Sequence, residues 1–194
     1  MAKGDNTRER IVSEGLARAT RGGLASVTVG TTASTLAMSK SGLFAHFGSK
    51  EALQLAIVEK AVERFSEKVI KPSMRHESAT KRLAALVDGY IGWMEGDSEL
   101  SGCPFSAMVP ELCDRSGPVR DALVEAQCAW RKLLATTVGE AQREGQVTRD
   151  GKPEQIAFEL VGAILAYQLS LKLLSDPSAP IRARAAVNHI LHRS

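Results

Sequence analysis

The chain has 194 residues, 44% of them apolar and 24% charged, which is enough to bury a core and too apolar for a disordered chain. Its formal charge of +3 is unevenly spread: residues 1–50 hold seven Lys/Arg against three Asp/Glu, and residues 51–194 hold eighteen against nineteen. Cations concentrated in one segment point to a polyanionic partner there, and no apolar run reaches the roughly 18 residues of a membrane span. The first residues are polar, so no secretory leader is expected, and three cysteines (Cys103, Cys113, Cys128) are no disulfide framework in a chain this large. The expectation is a cytoplasmic protein with reduced thiols and no membrane contact.

Apolar periodicity predicts an all-α fold, because β-branched residues nowhere alternate with polar ones over a useful length. The first helix spans about 6–20, with Ile11, Val12, Leu16 and Ala19 on one face, and Gly22-Gly23 stops it. Thr28 caps a short helix reaching about Leu36, with Ala33 and Leu36 turned inward, and Ala37-Met38 makes a tight corner. Ser39 caps a second short helix, Lys40 to about His46, whose apolar side is Leu43, Phe44 and Phe47. Gly48 ends it. Ser49 caps a longer helix in which Leu53, Ile57, Ala61 and Phe65 recur every fourth residue to about Val69. Helices are then expected over 79–95, 105–113, 119–144, 154–174 and 179–192, separated by glycines and prolines such as Gly102, Pro104, Gly117, Pro118, Gly145 and Pro153.

Two short helices joined by a two- or three-residue corner are the helix-turn-helix arrangement, whose second helix enters the major groove of DNA. That helix leaves Ser39, Lys40, Ser41, Gly42, Ala45 and His46 for its outer face. These groups are small, hydrogen-bonding or cationic, and none is a carboxylate, as a surface approaching a phosphate-lined groove requires.

The segments Thr28-Val29, Ser39-Lys40, Leu43-Phe44, His46-Phe47 and Ser49-Lys50-Glu51-Ala52-Leu53, together with the helical remainder, resemble the TetR family of transcriptional regulators. The resemblance is specific over about 8–65 and architectural beyond. It implies a helix-turn-helix domain over residues 1–52 and a helical effector-binding and dimerisation domain over 53–194. It further implies a double-stranded operator as partner and release by a small effector. Independently, no Gly-rich phosphate loop, serine elbow or paired-carboxylate pattern occurs, so no enzymatic activity and no cofactor are expected. The family's DNA-facing positions fall on Thr28, Ser39, Lys40, Ser41, Gly42, Phe44, His46 and Lys50. Three departures stand out. The family usually has Gly where Ala37 stands, so this corner either avoids a left-handed backbone or carries about 1 kcal/mol of strain. It commonly has Tyr where Phe44 stands, which leaves Phe44 to pack on a sugar or thymine methyl or to join the core. Ser41 replaces a common Gly. Gly102-Cys103-Pro104-Phe105 and Gly117-Pro118-Val119-Arg120 also resemble one subset of the family, with no mechanism attached.

The helix over 154–174 is apolar on two sides, one carrying Ile156, Leu160, Ala163, Tyr167 and Leu171 and the other Phe158, Val161, Leu165 and Leu169, so both sides need cover. A second copy is the expected cover, with Gly162, Ala163 and Ala166 allowing close helix approach and Leu165, Leu169, Ala185 and Ile190 supplying apolar area. Tyr90, Trp93, Met94, Phe105, Met108, Trp130 and Tyr167 come from four helices. By the resemblance they line an effector cavity; by sequence alone plain packing explains them equally. His189 and His192 lack a third ligand, so no metal is expected. Two alternative readings stay open: a helical small-molecule carrier, and a thiol-redox regulator using Cys103 and Cys113, which flank one short helix.

Overall fold

A computed structural model describes residues 3–96 and 102–192. Every described element is helical: α1 (Lys3–Gly22), α2 (Val29–Thr35), α3 (Lys40–Phe47), α4 (Lys50–Phe65), α5 (Ala79–Glu95), α6 (Pro104–Leu112), α7 (Pro118–Arg143), α8 (Pro153–Lys172) and α9 (Ala179–His192). A 3-10 turn, Leu24–Ser26, links α1 to α2, and α4 continues through a π-helical stretch, Ser66–Ile70, into a last turn at Lys71–Ser73. Among the described residues no helix is long and apolar enough to cross a membrane.

The helices form two compact units, Met1–Arg64 with Gly96–Glu125, and Phe65–Glu95 with Ala126–Ser194. Packing therefore groups α6 and the first turns of α7 with the amino-terminal helices, a grouping that the division at residues 52/53 does not anticipate.

In the first unit Ile11, Leu16, Leu24, Leu43, Leu53, Ile57 and Met108 are fully buried, each side chain contributing about 1.5–3 kcal/mol by leaving water. Gly15 lets α1 lie close to α4, since a Cβ there would stand 2.6 Å from Ile57 Cδ1. The helix ends carry the caps that the sequence predicts. Thr28 accepts from the Thr31 amide at 3.0 Å, Ser39 from the Gly42 amide at 3.0 Å, and Ser49 from the Ala52 amide at 3.0 Å. Gly48 closes α3 with a positive φ of 71°.

In the second unit α8 and α9 pack along each other, and α5 packs against the π-helical stretch. Polar ties fix the ends. Glu144 accepts from the Ala79 amide at 3.1 Å, Arg82 pairs with Glu140 at 2.6 Å, and the Thr148 amide donates to the Leu191 carbonyl at 2.7 Å. Ile156, Leu160, Ile164 and Tyr167 bury one side of α8. Its other side, Phe158, Leu165 and Leu169, is more than half exposed, as are Leu173 and Leu174 beyond it and Ile181 on α9.

Candidate nucleic-acid interface

The corner between α2 and α3 is built by backbone hydrogen bonds. The Met38 amide donates to the Ala33 carbonyl at 2.9 Å and the Ala37 amide to the Ser34 carbonyl at 3.2 Å, the paired pattern that ends a helix in a left-handed residue. That residue is Ala37, at φ 53°, so the corner takes the strained alternative open to it, at a cost of about 1 kcal/mol relative to Gly.

The start of α2 carries a reciprocal cap that no residue pattern announces. Thr31 reciprocates the Thr28 cap, its Oγ1 accepting from the Thr28 amide at 3.2 Å. The reciprocal position is usually Glu or Gln, and Thr performs the task without placing a carboxylate on this face. Residues 15–50 contain no Asp or Glu at all.

Thr28, Ser39, Lys40, Ser41 and Lys50 are exposed, and Gly42 and His46 are half-buried. The Ser39 and Ser41 hydroxyls lie 3.2 Å apart at the amino end of α3. A Cβ built on Gly30 would stand 3.7 Å from Lys40 Cε, so the Lys40 stem passes over α2. His46 rests tilted against Phe47, ring centroids 6.5 Å apart, and Arg8 sits 5.1 Å from the Phe47 centroid.

Phe44 corrects one expectation. Leu43 is 1% exposed and Phe44 46%, so Phe44 does not share the apolar side of α3 with Leu43 and Phe47. The reason is angular: Leu43 and Phe47 are four residues apart and share one stripe, while Phe44 is turned about 100° from Leu43. An eight-residue helix inserts a single stripe, and Phe44 is left with the exposed polar groups.

The proposed effector residues are all buried. Five of them, Tyr90, Trp93, Met94, Trp130 and Tyr167, belong to the second unit, while Phe105 and Met108 lie on α6 in the first. Phe65, a position of the four-residue apolar repeat of α4, is the hub of the aromatic cluster. Its ring meets Tyr90, Trp93 and Trp130 edge to face at 6.0, 5.5 and 5.2 Å, and Tyr90 stacks on Trp130 at 6.3 Å. Trp93 Nε1 is buried with no hydrogen-bond partner. Burial pushes the Tyr167 hydroxyl up to about 12, with Glu95 adding to the rise and Arg184 opposing it, and the hydroxyl donates to the Ile91 carbonyl at 3.4 Å. A surface groove of about 610 Å³ along α7 and the first turn of α8, lined by Cys128, Arg131, Lys132, Gly139, Arg143 and Ala157, involves none of the seven residues.

The cysteine pair is also corrected. Cys103 and Cys113 cap opposite ends of α6, ten residues apart, which at the helical rise is about 15 Å. A disulfide needs Cα atoms within about 7 Å, so the two thiols cannot join while α6 is folded. Both are free, Cys103 buried and Cys113 exposed.

The family model described as "Tetracyclin repressor-like, C-terminal domain" matches residues 79–187, more than half of the chain. The chain belongs to the TetR family of transcriptional regulators. Its fold is the TetR fold, an amino-terminal helix-turn-helix region followed by a helical domain, and TetR proteins are transcription factors, not enzymes. No curated protein sequence matches it. Among solved structures, a TetR regulator from Chloroflexus aurantiacus superposes with a TM-score of 0.84 at 23% identity, covering 98% of this chain and 94% of that one. A TetR regulator from Agrobacterium tumefaciens does so with a TM-score of 0.88 at 14% identity, covering 97% and 100%. AibR, solved in complex with isovaleryl coenzyme A and operator DNA, has a TM-score of 0.76 at 22% identity, covering 95% and 97%.

Proposed function

We propose that this TetR-family regulator is a cytoplasmic, ligand-responsive repressor that binds a palindromic operator as a homodimer and is released by a small effector. The observation that carries the reading is the exposed, acid-free face of α3 and its flanks. Lys50 and the capped ends of α2 and α3 hold phosphates, while Lys40, Ser41 and His46 reach base edges. Phe44 meets a sugar or a thymine methyl. The exposed apolar side of α8 and the neighbouring surface of α9 support the dimer. A Cβ on Gly162 would meet nothing within 4 Å, and Leu165, Leu169 and Ala185 are exposed. Two copies joined there present their reading helices about 34–36 Å apart, one turn of DNA.

Residues 1–52 read DNA, and 53–194 bind effector and dimerise. The aromatic cluster of Phe65, Tyr90, Trp93 and Trp130 supports an effector with an apolar body, and the unpartnered Trp93 Nε1 supports a hydrogen-bond acceptor on it. That AibR was solved with both isovaleryl coenzyme A and operator DNA is in keeping with one chain of this fold serving both ligands. Effector acts by binding more tightly to a conformation in which the two reading helices are wrongly spaced.

The test is binding to a duplex from the gene's own upstream region over a salt series. The expected result is log K falling linearly with log salt, with a slope of several counterions. Binding without salt dependence, or none, leaves the carrier reading in its place.

A further inference from the structure

We propose that Glu111 is a positioning residue for DNA reading: its carboxylate latches the connector between α1 and α2 to α6, so the reading helices and α6 behave as one body. The proposal rests on the DNA-binding reading above.

Glu111 lies in the last turn of α6, and its Oε2 accepts from the Ala25 amide at 2.8 Å. That amide belongs to the 3-10 turn Leu24–Ser26, whose N-cap is Gly23, with no side chain to satisfy the free donors. Glu111 therefore caps this turn from a helix 86 residues away in sequence. Gly23 makes the seat. It is buried at φ 70°, and a Cβ on it would overlap Glu111 Oε1 and stand 3.2 Å from the Ala107 carbonyl oxygen. Any side chain at position 23 would expel the carboxylate.

From that seat a short hydrogen-bonded path leads to the reading face. Ser26 Oγ donates to the Gly23 carbonyl at 2.7 Å, Thr31 Oγ1 donates to the Ser26 carbonyl at 3.4 Å, and Thr31 is the reciprocal partner of the Thr28 cap. Beneath the latch, α6 packs on α1, with Pro104, Phe105, Met108 and Leu112 buried. A Cβ on Gly117, just beyond α6, would stand 3.9 Å from Glu51 Oε2 in the first turn of α4. The Gly102-Cys103-Pro104-Phe105 and Gly117-Pro118 motifs thereby acquire a role: they start α6 and α7 so that the segment between them clasps α1 and the start of α4. The sign of the charge is informative too. The fold brings a carboxylate to a stretch whose own residues 15–50 have none, against the electrostatic interest of DNA binding. The hydrogen bond to the connector supplies the countervailing reason.

The experiment uses the full chain, with Glu111→Ala, Glu111→Gln and, as a charge control on the same segment, Asp114→Asn, at a temperature where circular dichroism shows all of them folded. Amide exchange over residues 24–28 and affinity for the upstream duplex across a salt series are measured together. Glu111→Ala is expected to exchange about tenfold faster there and to bind about tenfold more weakly at every salt concentration, with the wild-type slope. Glu111→Gln, whose amide oxygen can still accept from Ala25, falls between. Asp114→Asn binds as well as wild type or better. A purely electrostatic Glu111 gives the opposite sign, tighter binding by Glu111→Ala, and that result, or unchanged exchange over 24–28, overturns the proposal. If the wild type binds no duplex, the DNA-binding reading fails separately, and the exchange measurement alone decides the latch.

Discussion

Trp130→Ala is the perturbation whose size the structure specifies best. The indole is 9% exposed, held edge to face by Phe65 at 5.2 Å and stacked with Tyr90 at 6.3 Å, with 25° between planes. Truncating a buried Trp costs about 3–5 kcal/mol, counting both lost transfer energy and the cavity left behind. The two aromatic pairs account for roughly 1–3 kcal/mol of that, at about 0.5–1.5 each. For a domain of 150–250 residues each kcal/mol moves Tm by about 2–4 °C, so the expected fall is roughly 6–20 °C. Urea denaturation followed by far-UV circular dichroism, at fixed protein concentration because the species is expected to be a dimer, measures the loss. Trp130→Phe, which keeps a ring against Phe65, should lose clearly less. A loss below about 1 kcal/mol in Trp130→Ala would refute the packing account and leave the ring lining open space. At a temperature where Trp130→Ala remains folded, it should still bind DNA while its response to an effector changes, because the reading helices lie in the other compact unit.

Replacing Leu165 or Leu169 by Asp should shift sedimentation from dimer to monomer, since an unpaired charge in an apolar contact costs several kcal/mol; a wild type that sediments as a stable monomer removes the premise. Lys50→Ala should weaken binding to all duplexes alike and lower the salt slope by about one; a loss confined to one base position would place Lys50 on a base edge instead. Ala37→Gly should raise Tm by about 1–2 °C, relieving about 1 kcal/mol of left-handed strain against a smaller entropic cost in the unfolded chain, and a fall in Tm would contradict it. Tyr167 should make stability fall as pH rises from 10 through about 12, because the unfolded chain releases the phenolic proton first; Tyr167→Phe should flatten that decline in pH-dependent urea titrations.

The local grammar of the chain was readable because it is local. Thr28, Ser39 and Ser49 cap the helices expected of them, and the helices predicted at 79–95 and 179–192 have those bounds in the structure. The two sides of α8 are legible in part: Ile156, Leu160 and Tyr167 are buried and Phe158, Leu165 and Leu169 exposed, while Val161, Ala163 and Leu171 are half-buried and the buried Ile164 belongs to neither expected side. Phe44 was assigned to the wrong side because eight residues do not sample the helical period fully. The membership of 96–125 in the first unit was invisible for a different reason. It rests on the packing of α6 against α1, with Phe105, Met108 and Leu112 buried, and no periodicity links two helices so far apart in sequence. The cysteine pair failed on length. Two thiols flanking a helix look adjacent in a loop, but the folded helix holds them one whole element apart.

The central claim, that α3 reads DNA within a two-fold symmetric dimer, is tested most directly by selecting duplexes from a random pool with the full-length protein. The account predicts enrichment of an inverted repeat with half-site centres about 10–10.5 base pairs apart, or a multiple of that, lost in Lys40→Ala and in the Leu165→Asp monomer. Enrichment of no motif, or of a single unrepeated site bound equally by the Leu165→Asp variant, would contradict it.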